Sequence, residues 1–476
     1  MQYDTDVAVI GGGTAGLVSA SVAAALGARA TLIEADKIGG ECLWRGCVPS
    51  KTLVKSARVF DTIKRSAEYG VHVEKPRLIW NAVKLRLADV RDEIKAAERE
   101  ALQKAGVTSE IGRARFLDNH TLELSKGGET RKLTAKSFVI ATGSNPRSPK
   151  IDGLDEVGFA WIHDLFDKPS LPKSLVFVGG GPASCEMAQT FARFGASVTV
   201  LQSGERILTK EEPEVSELML KLLRAEGITI HLQARAHKAE REGERKKISF
   251  HTPDGEQSVV AGEVVVSIGK VPAWQSLALE NIGIRADEHG VKVDAHLKTS
   301  AANVWACGDV TGNYYFTHVA ENEGKIAGAN AVLPGPLAQK ADYRGLSWVT
   351  FTDPEIAHLG QTLEEAKREW GHARAWQLPF GALDRAIIEG ETAGFTRIIT
   401  TGSGRIVGAH IVGPNAGEII GALIVPVREG ALLSEFADAM FPYPTLGEIV
   451  HKAGNEVYQE LIQSKLAQQA LKWLPK

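Results

Sequence analysis

Residues 5–34 read TDVAVIGGGTAGLVSASVAAALGARATLIE. The run from Asp6 to Ile10 is strand-like. It meets Gly11, Gly13 and Gly16, then a helix of small residues, then a second strand ending on Glu34. This is the spacing of a βαβ dinucleotide-binding unit. Gly11 permits the tight turn, Gly13 lets the backbone approach a pyrophosphate, Gly16 lets the helix pack on the strand, and Glu34 ends where a carboxylate accepts a ribose hydroxyl.

The pattern returns at residues 174–202, SLVFVGGGPASCEMAQTFARFGASVTVLQ. Gly179 and Gly181 match Gly11 and Gly13, Ser184 replaces Gly16, and Gly179 to Gln202 spans the same 23 residues as Gly11 to Glu34. Two bound dinucleotides are expected, the alternative being one true site and a decayed copy. Gln202 lacks the carboxylate that selects NAD, and Arg206 and Lys210 follow closely enough to meet a 2′-phosphate, which favours NADPH.

Just after the first unit comes GGECLWRGCVPSK, residues 39–51. Cys42 and Cys47 cannot form a disulfide on one regular helix, because five rises of about 1.5 Å separate their Cα atoms by roughly 7.5 Å, beyond the ~6.8 Å a bridge tolerates. The segment must bend. Pro49 belongs in the first turn of a helix, so Cys42 is expected in a loop or distorted turn ahead of a helix running through Lys51 to Ala57. A helix amino terminus lowers a thiol pKa, which makes Cys47 the better thiolate. A redox dithiol is weighed against two inert thiols and half a zinc site. Cys185 and Cys307 are isolated, so no cysteine set completes a zinc cage and no resident metal is expected.

The 476 residues suffice for two to four domains with large cores. A net charge of −3 without blocks of like charge gives no electrostatic reason to expect nucleic acid or an anionic membrane as partner. Four cysteines do not make a secreted disulfide scaffold. No signal peptide is visible, and apolar stretches such as IIGALIVPV (419–427) are far short of a membrane span, so a cytoplasmic enzyme is expected.

Further along, SFVIATGSNPR (137–147) and EVVVSIGKVP (263–272) each end an apolar strand on a glycine turn, at Gly143 and Gly269. They read as crossovers bounding the second nucleotide domain. In TSAANVWACGDVTG (299–312), Asp309 follows a strand and is suited to hold a polar part of a cofactor, or to cap a helix. From about Leu346, alternating strands and glycine turns give way to helical patterns, marking a separate α+β domain.

Taken with ATGSNP, GGGPASCE, CGDV, FTDPEIAHLG and GRIVGAHIVGPNAGE, these signatures resemble the class I pyridine nucleotide-disulfide oxidoreductases across essentially the whole chain, the group holding glutathione reductase, dihydrolipoyl dehydrogenase and mercuric reductase. The resemblance implies an α/β fold with an FAD domain of residues 1–148 and 276–345, an NAD(P) domain of 149–275, and a carboxy-terminal interface domain of 346–476 that makes a homodimer with shared active sites. FAD would lie on the first fingerprint with Asp309 at its ribityl chain, and NAD(P)H on the second. Cys47 would be the thiolate beside the flavin and Cys42 the exchanging thiol of a Cys42–Cys47 disulfide. Lys51 would approach the isoalloxazine and Glu186 would pair with it.

One position departs. The family's disulfide reductases carry His-Pro-Thr-x-x-Glu near the carboxy terminus, whereas this chain reads Tyr443-Pro444-Thr445-Leu446-Gly447-Glu448. Histidine titrates near 6.5 and both takes and gives a proton at neutral pH. Tyrosine, near 10, donates but is a poor base. The substitution resembles mercuric reductase, yet no cysteine follows Cys307 to relay a metal. The expected acceptor is a metal ion, a quinone-like oxidant or an unusual disulfide. The alternatives are a dihydrolipoyl dehydrogenase variant, with His451 standing in one turn beyond Glu448, and a redox-sensing flavoprotein without turnover. Arg45 is a candidate for steadying the thiolate. Beyond Glu448 an apolar stripe of Ile449, Val450, Ala453, Val457 and Leu461 is continued by Leu466, Ala470, Leu471 and Leu474.

Overall fold

The run after Asp6 forms a central strand, β1 (Thr5–Ile10), because its side chains can be buried on both faces. Helix α1 (Thr14–Ala25) and strand β2 (Ala30–Glu34) complete the first βαβ unit, with Ile10 in register with Ile33. The computed structural model describes residues 2–333 and 335–464, so Leu466, Ala470, Leu471 and Leu474 lie outside the described residues. It divides into two compact units, one of residues 1–172 and 263–342, the other of 173–262 and 343–476.

In the first unit, β1 and β2 belong to a seven-stranded sheet. Thr108–Ile111 lies outside β2, and Glu129–Ile140 flanks β1 in parallel and carries Val304–Ala306 on its other side. Apolar clusters cover both faces of this sheet. Small residues on α1 admit the helix Thr317–Asn330 at backbone distance: a Cβ on Gly324 would stand 2.6 Å from the Ala15 carbonyl oxygen, and one on Gly328 would stand 2.5 Å from that of Ser19. That packing fixes where Thr317, the first residue of the second helix, points.

After β2 come three helices, α2 (Gly40–Trp44), α3 (Cys47–Lys64) and α4 (Trp80–Lys104). Gly39 and Gly40 turn the chain through left-handed φ values of 108° and 60°. A Cβ on Gly40 would meet the Gly13 Cα at 2.5 Å. The glycine pair thus seats the cysteine segment directly on the phosphate-loop backbone.

The second unit repeats the βαβ unit as β3 (Ser174–Val178), α5 (Pro182–Arg193) and β4 (Ser197–Leu201), followed by α6 (Pro213–Ala225). Its carboxy-terminal part is an antiparallel sheet of β5 (Ser347–Thr350), β6 (Glu355–Gly360), β7 (Ala373–Pro379), β8 (Phe395–Thr401) and β9 (Ile406–Gly413), in the order β5-β6-β9-β8-β7. One face, including Leu359, Ala409, Ile398 and Trp376, packs on α7 (Ala416–Glu429) and α8 (Glu448–Gln463). On α8 the expected stripe is buried at Ile449, Val450 and Ala453 and half-buried at Val457, but Leu461 is exposed. Among the described residues no helix is long and apolar enough to cross a membrane.

Candidate active site

The expected bend between the cysteines lies at Arg45–Gly46, but Cys42 sits in the single helical turn of α2 and not in a loop. The positive-φ pair Gly39–Gly40 starts that turn, so it needs no regular helix on either side. Cys47 opens α3, whose first turn has no side-chain cap, and Pro49 occupies that turn where its missing N–H costs nothing. The two cysteines are free thiols joined by a side-chain hydrogen bond.

That bond sets their titration apart. Cys47 is lowered to about 6, first by the Cys42 thiol that donates to it and then, against the opposing effect of burial, by Thr317 and the positive charges of Lys51 and Lys270. Its Sγ lies 3.4 Å from Thr317 Oγ1. Cys42 is driven far up by the same partnership and by desolvation. At neutral pH the pair is a Cys47 thiolate beside a Cys42 thiol. Arg45 is directed to Asp36 at 3.3 Å on the surface.

A charged cluster lies next to the thiolate. Lys270 Nζ is 2.7 Å from Glu41 Oε2 and 3.7 Å from Asp309 Oδ2, and Ser144 Oγ donates to Asp309 Oδ2 at 2.6 Å. Burial raises the Asp309 carboxyl. It also opposes the charge on Lys270, where Glu41 and Asp309 outweigh it and the net shift is upward. Gly143 and Gly269, both at positive φ, begin the two short strands Ser144–Pro146 and Lys270–Pro272, which pair antiparallel and carry Ser144 and Lys270 to this point. Sequence reasoning singled out the glycines and missed their neighbours Lys270 and Ser144, together with Glu41 and Thr317. A signal existed for three of them: Ser144 and Lys270 directly follow Gly143 and Gly269, and Glu41 directly precedes Cys42.

The first fingerprint fits a dinucleotide such as FAD. A Cβ on Gly11 would stand 2.2 Å from the Ala141 carbonyl oxygen and one on Gly16 would stand 1.8 Å from that of Gly11, so only glycine closes this cradle. The first turn of α1 is uncapped and presents its N–H groups. Glu34 Oε2 accepts from Gly12 N at 2.6 Å and its Oε1 from Asp36 N at 2.7 Å.

In the second unit Gly179 adopts φ 111°, Gln202 Oε1 accepts from Gly180 N at 2.9 Å, and Gln202 Nε2 donates to the Arg206 carbonyl at 2.8 Å. The Arg206 guanidinium faces the carbonyls of Thr209 and Glu211 in its own loop, and Lys210 is exposed. Gly181 is the uncapped N-cap of α5. Glu186 on α5 is buried, and its Oε1 accepts from Phe351 N at 2.8 Å.

Tyr443 is exposed, and its hydroxyl donates to Asp384 Oδ2 at 2.7 Å, which raises the phenol further. Glu448 opens α8 and its Oε2 accepts from Thr445 N at 3.2 Å. His451 has both ring nitrogens engaged, Nδ1 with the Phe436 carbonyl at 2.8 Å and Nε2 with Asn455 Nδ2 at 2.9 Å. Both nitrogens therefore have structural partners within the fold.

Residues 5–324 match the family model described as pyridine nucleotide-disulphide oxidoreductase, and residues 346–454 match that family's dimerisation domain. Mercuric reductase of Bacillus cereus is 32% identical over 94% of this chain and 70% of its own length. Dihydrolipoyl dehydrogenase of Geobacillus stearothermophilus is 32% identical over 94% and 95%. The solved Cu(II) complex of the HOCl-induced flavoprotein disulfide reductase RclA from Escherichia coli superposes with a TM-score of 0.85 at 25% identity, covering 96% of this chain and 100% of that one.

Proposed function

Because this chain belongs to the pyridine nucleotide-disulphide oxidoreductases, FAD-dependent NAD(P)H enzymes that form homodimers, we propose that its dithiol delivers electrons to a thiophilic metal ion of the Hg(II) or Cu(II) class. Bound FAD supplies the hydride chemistry between NAD(P)H and the Cys42–Cys47 disulfide. The first fingerprint, Asp309 and Lys51 would hold that cofactor, and the second fingerprint would hold the nicotinamide nucleotide. This assigns residues 1–148 and 276–345, 149–275 and 346–476 their separate roles. Cys47 keeps the thiolate and Cys42 meets the acceptor; closing the disulfide releases two electrons, enough for one Hg(II) to Hg(0) or two Cu(II) to Cu(I).

Tyr443 carries this reading. Its one proton is committed to Asp384, and the ring nitrogens of His451 are engaged by the Phe436 carbonyl and by Asn455. Neither can shuttle protons for a dithiol substrate as a free histidine would, whereas a metal ion needs no such shuttle. The Cu(II) bound in the RclA structure supports the same class. The reading includes Tyr443 and Glu448 completing the partner's site across the dimer, a cytoplasmic location, and NADPH as donor because Gln202 carries no charge. The equal identity to dihydrolipoyl dehydrogenases keeps a variant of that enzyme, oxidising a specialised dithiol with the oxidised nicotinamide nucleotide, as the second reading.

Steady-state turnover with Hg(II), Cu(II), oxidised glutathione and dihydrolipoamide tests it. Metal turnover should exceed either disulfide-linked rate by roughly the 100-fold that a general acid–base contributes, and Tyr443→His should raise dihydrolipoamide oxidation. Fast dihydrolipoamide oxidation by the unmodified enzyme near neutral pH would defeat the proposal.

A further inference from the structure

The face of the carboxy-terminal sheet opposite its apolar core carries a cross-strand row. Trp348 pairs with His358, His358 with His410, and His410 with Arg397, each directly opposite the next on adjacent strands. The segment after Gln202 ends on Glu211 and Glu212, which cover this row. Glu211 Oε1 accepts from Trp348 Nε1 at 2.7 Å and its Oε2 lies 3.1 Å from His358 Nδ1. The Trp348 ring stacks on His358 with centroids 3.5 Å apart. Glu211, His358 and His410 are 4%, 2% and 0% exposed.

With both rings neutral, the protons in this cluster do not balance among its own hydrogen bonds. His358 Nε2 faces the Gly360 carbonyl at 2.9 Å and therefore carries a hydrogen. In a neutral ring Nδ1 is then a lone pair aimed at a carboxylate oxygen, which is repulsive unless a cation lies between them. His410 Nε2 faces the Gln361 carbonyl at 3.2 Å, so its hydrogen is placed there too, and its Nδ1 is buried without a hydrogen-bond partner among the described residues. An unused lone pair in a dry interior costs about 1–3 kcal/mol. Arg397 answers Glu212 and Glu214, at 3.8 and 2.8 Å, which leaves Glu211 with His358 and the neutral Trp348 as its partners.

We propose that Glu211, His358 and His410 bind a divalent transition ion of the Zn²⁺ class, a site separate from the redox dithiol. Two imidazoles and one carboxylate are a zinc donor set. One donor atom from each residue lies within 4.8 Å of the others. The 3.1 Å between His358 Nδ1 and Glu211 Oε2 is close to the roughly 3.3 Å spacing of two ligands held at ~2.0–2.1 Å on a tetrahedral ion. The third donor moves inward by side-chain rotation. Trp348 Nε1 and the Gly360 carbonyl orient Glu211 and His358 from behind, as outer partners do in metal centres. An ion here would tie the loop beginning at Gln202 to the carboxy-terminal sheet, and so fix a nucleotide-site residue from a distance.

The test uses the full-length FAD-loaded protein carrying Cys42→Ser and Cys47→Ser, which removes the dithiol as a metal ligand and separates this site from the proposed acceptor chemistry. Purified without a metal-affinity tag and dialysed against Zn²⁺ buffer, it should retain about one Zn²⁺ per chain by mass spectrometry. His410→Gln should abolish retention, and Trp348→Phe should weaken it by roughly 10–100-fold. Should His410→Gln fail to fold, X-ray absorption of the Zn²⁺-loaded parent should show two imidazoles and one carboxylate oxygen. No retained ion, equal retention in His410→Gln, or a sulfur-containing shell would each overturn the proposal and leave a proton as the cation between His358 and Glu211.

Discussion

The two fingerprints are nearly the same object built twice. Gly11 N donates to the Ile33 carbonyl and Gly179 N to that of Leu201, both at 2.8 Å, and each helix has 12 residues. In both, a side chain at the end of the second strand reaches back to the middle glycine: Glu34, the last residue of β2, takes Gly12 N at 2.6 Å, and Gln202, the residue after β4, takes Gly180 N at 2.9 Å. The side-chain oxygen at that position therefore has a structural task shared by both copies. Charge, and not shape, distinguishes them. The chain beyond each copy differs too: the first leads into the cysteine turn seated on Gly13, the second into Glu211 and Glu212 on the carboxy-terminal sheet.

The third fingerprint position should break the likeness most strongly. At Gly16 a methyl group would overlap the Gly11 carbonyl at 1.8 Å, while Ser184 is already housed in the second copy, fully buried with its hydroxyl lacking a hydrogen-bond partner among the described residues. Gly16→Ala should cost about 3 kcal/mol or more, a fall in Tm on the order of 10 °C, and lose flavin absorbance. Ser184→Ala, which removes an unsatisfied hydroxyl, should stay within about 1 kcal/mol of the parent in the same melting experiment. Equal effects would mean that the two helices sit on their strands alike.

A smaller effect should come from making the second copy electrostatically like the first. Gln202→Glu retains the bond from Gly180 N and adds a negative charge where a 2′-phosphate would approach. The ratio of kcat/KM for NADPH to that for NADH should drop roughly 10–100-fold, or about 1.4–2.8 kcal/mol. An unchanged ratio would place nucleotide selection elsewhere.

The smallest expected effect concerns the cysteine turn, which has no counterpart in the second copy. In the reduced enzyme, iodoacetamide should modify Cys47 with a rate that rises through pH about 6 as the thiolate forms. Lys270→Met removes a positive charge that favours the thiolate, so the midpoint should move upward. A midpoint left near the ordinary thiol range in the parent would show that the Cys42 hydrogen bond does not hold the charge on Cys47.

Both βαβ units, the bend between the two cysteines and the carboxy-terminal α+β region were legible because each depends on local pattern: apolar period, glycine spacing, and a proline in a first turn. The order of the two thiols was legible as well, since a helix start is a local feature. The helical turn around Cys42 was not, because it depends on Gly40 touching Gly13, a contact between segments. His451 looked available as a base one turn past Glu448, and its spacing could not reveal that Phe436 and Asn455 use both nitrogens.

By itself the sequence determined the architecture and the family, because backbone geometry and burial leave periodic marks along a chain. The tertiary structure alone decided what surrounds the charges. Lys270 and Thr317 reach Cys47 from more than 200 residues away, and Glu211 meets His358 and His410 only where a loop crosses a sheet. Electrostatic and ligand environments are sums over neighbours in space, and neighbours in space are what a linear pattern does not record.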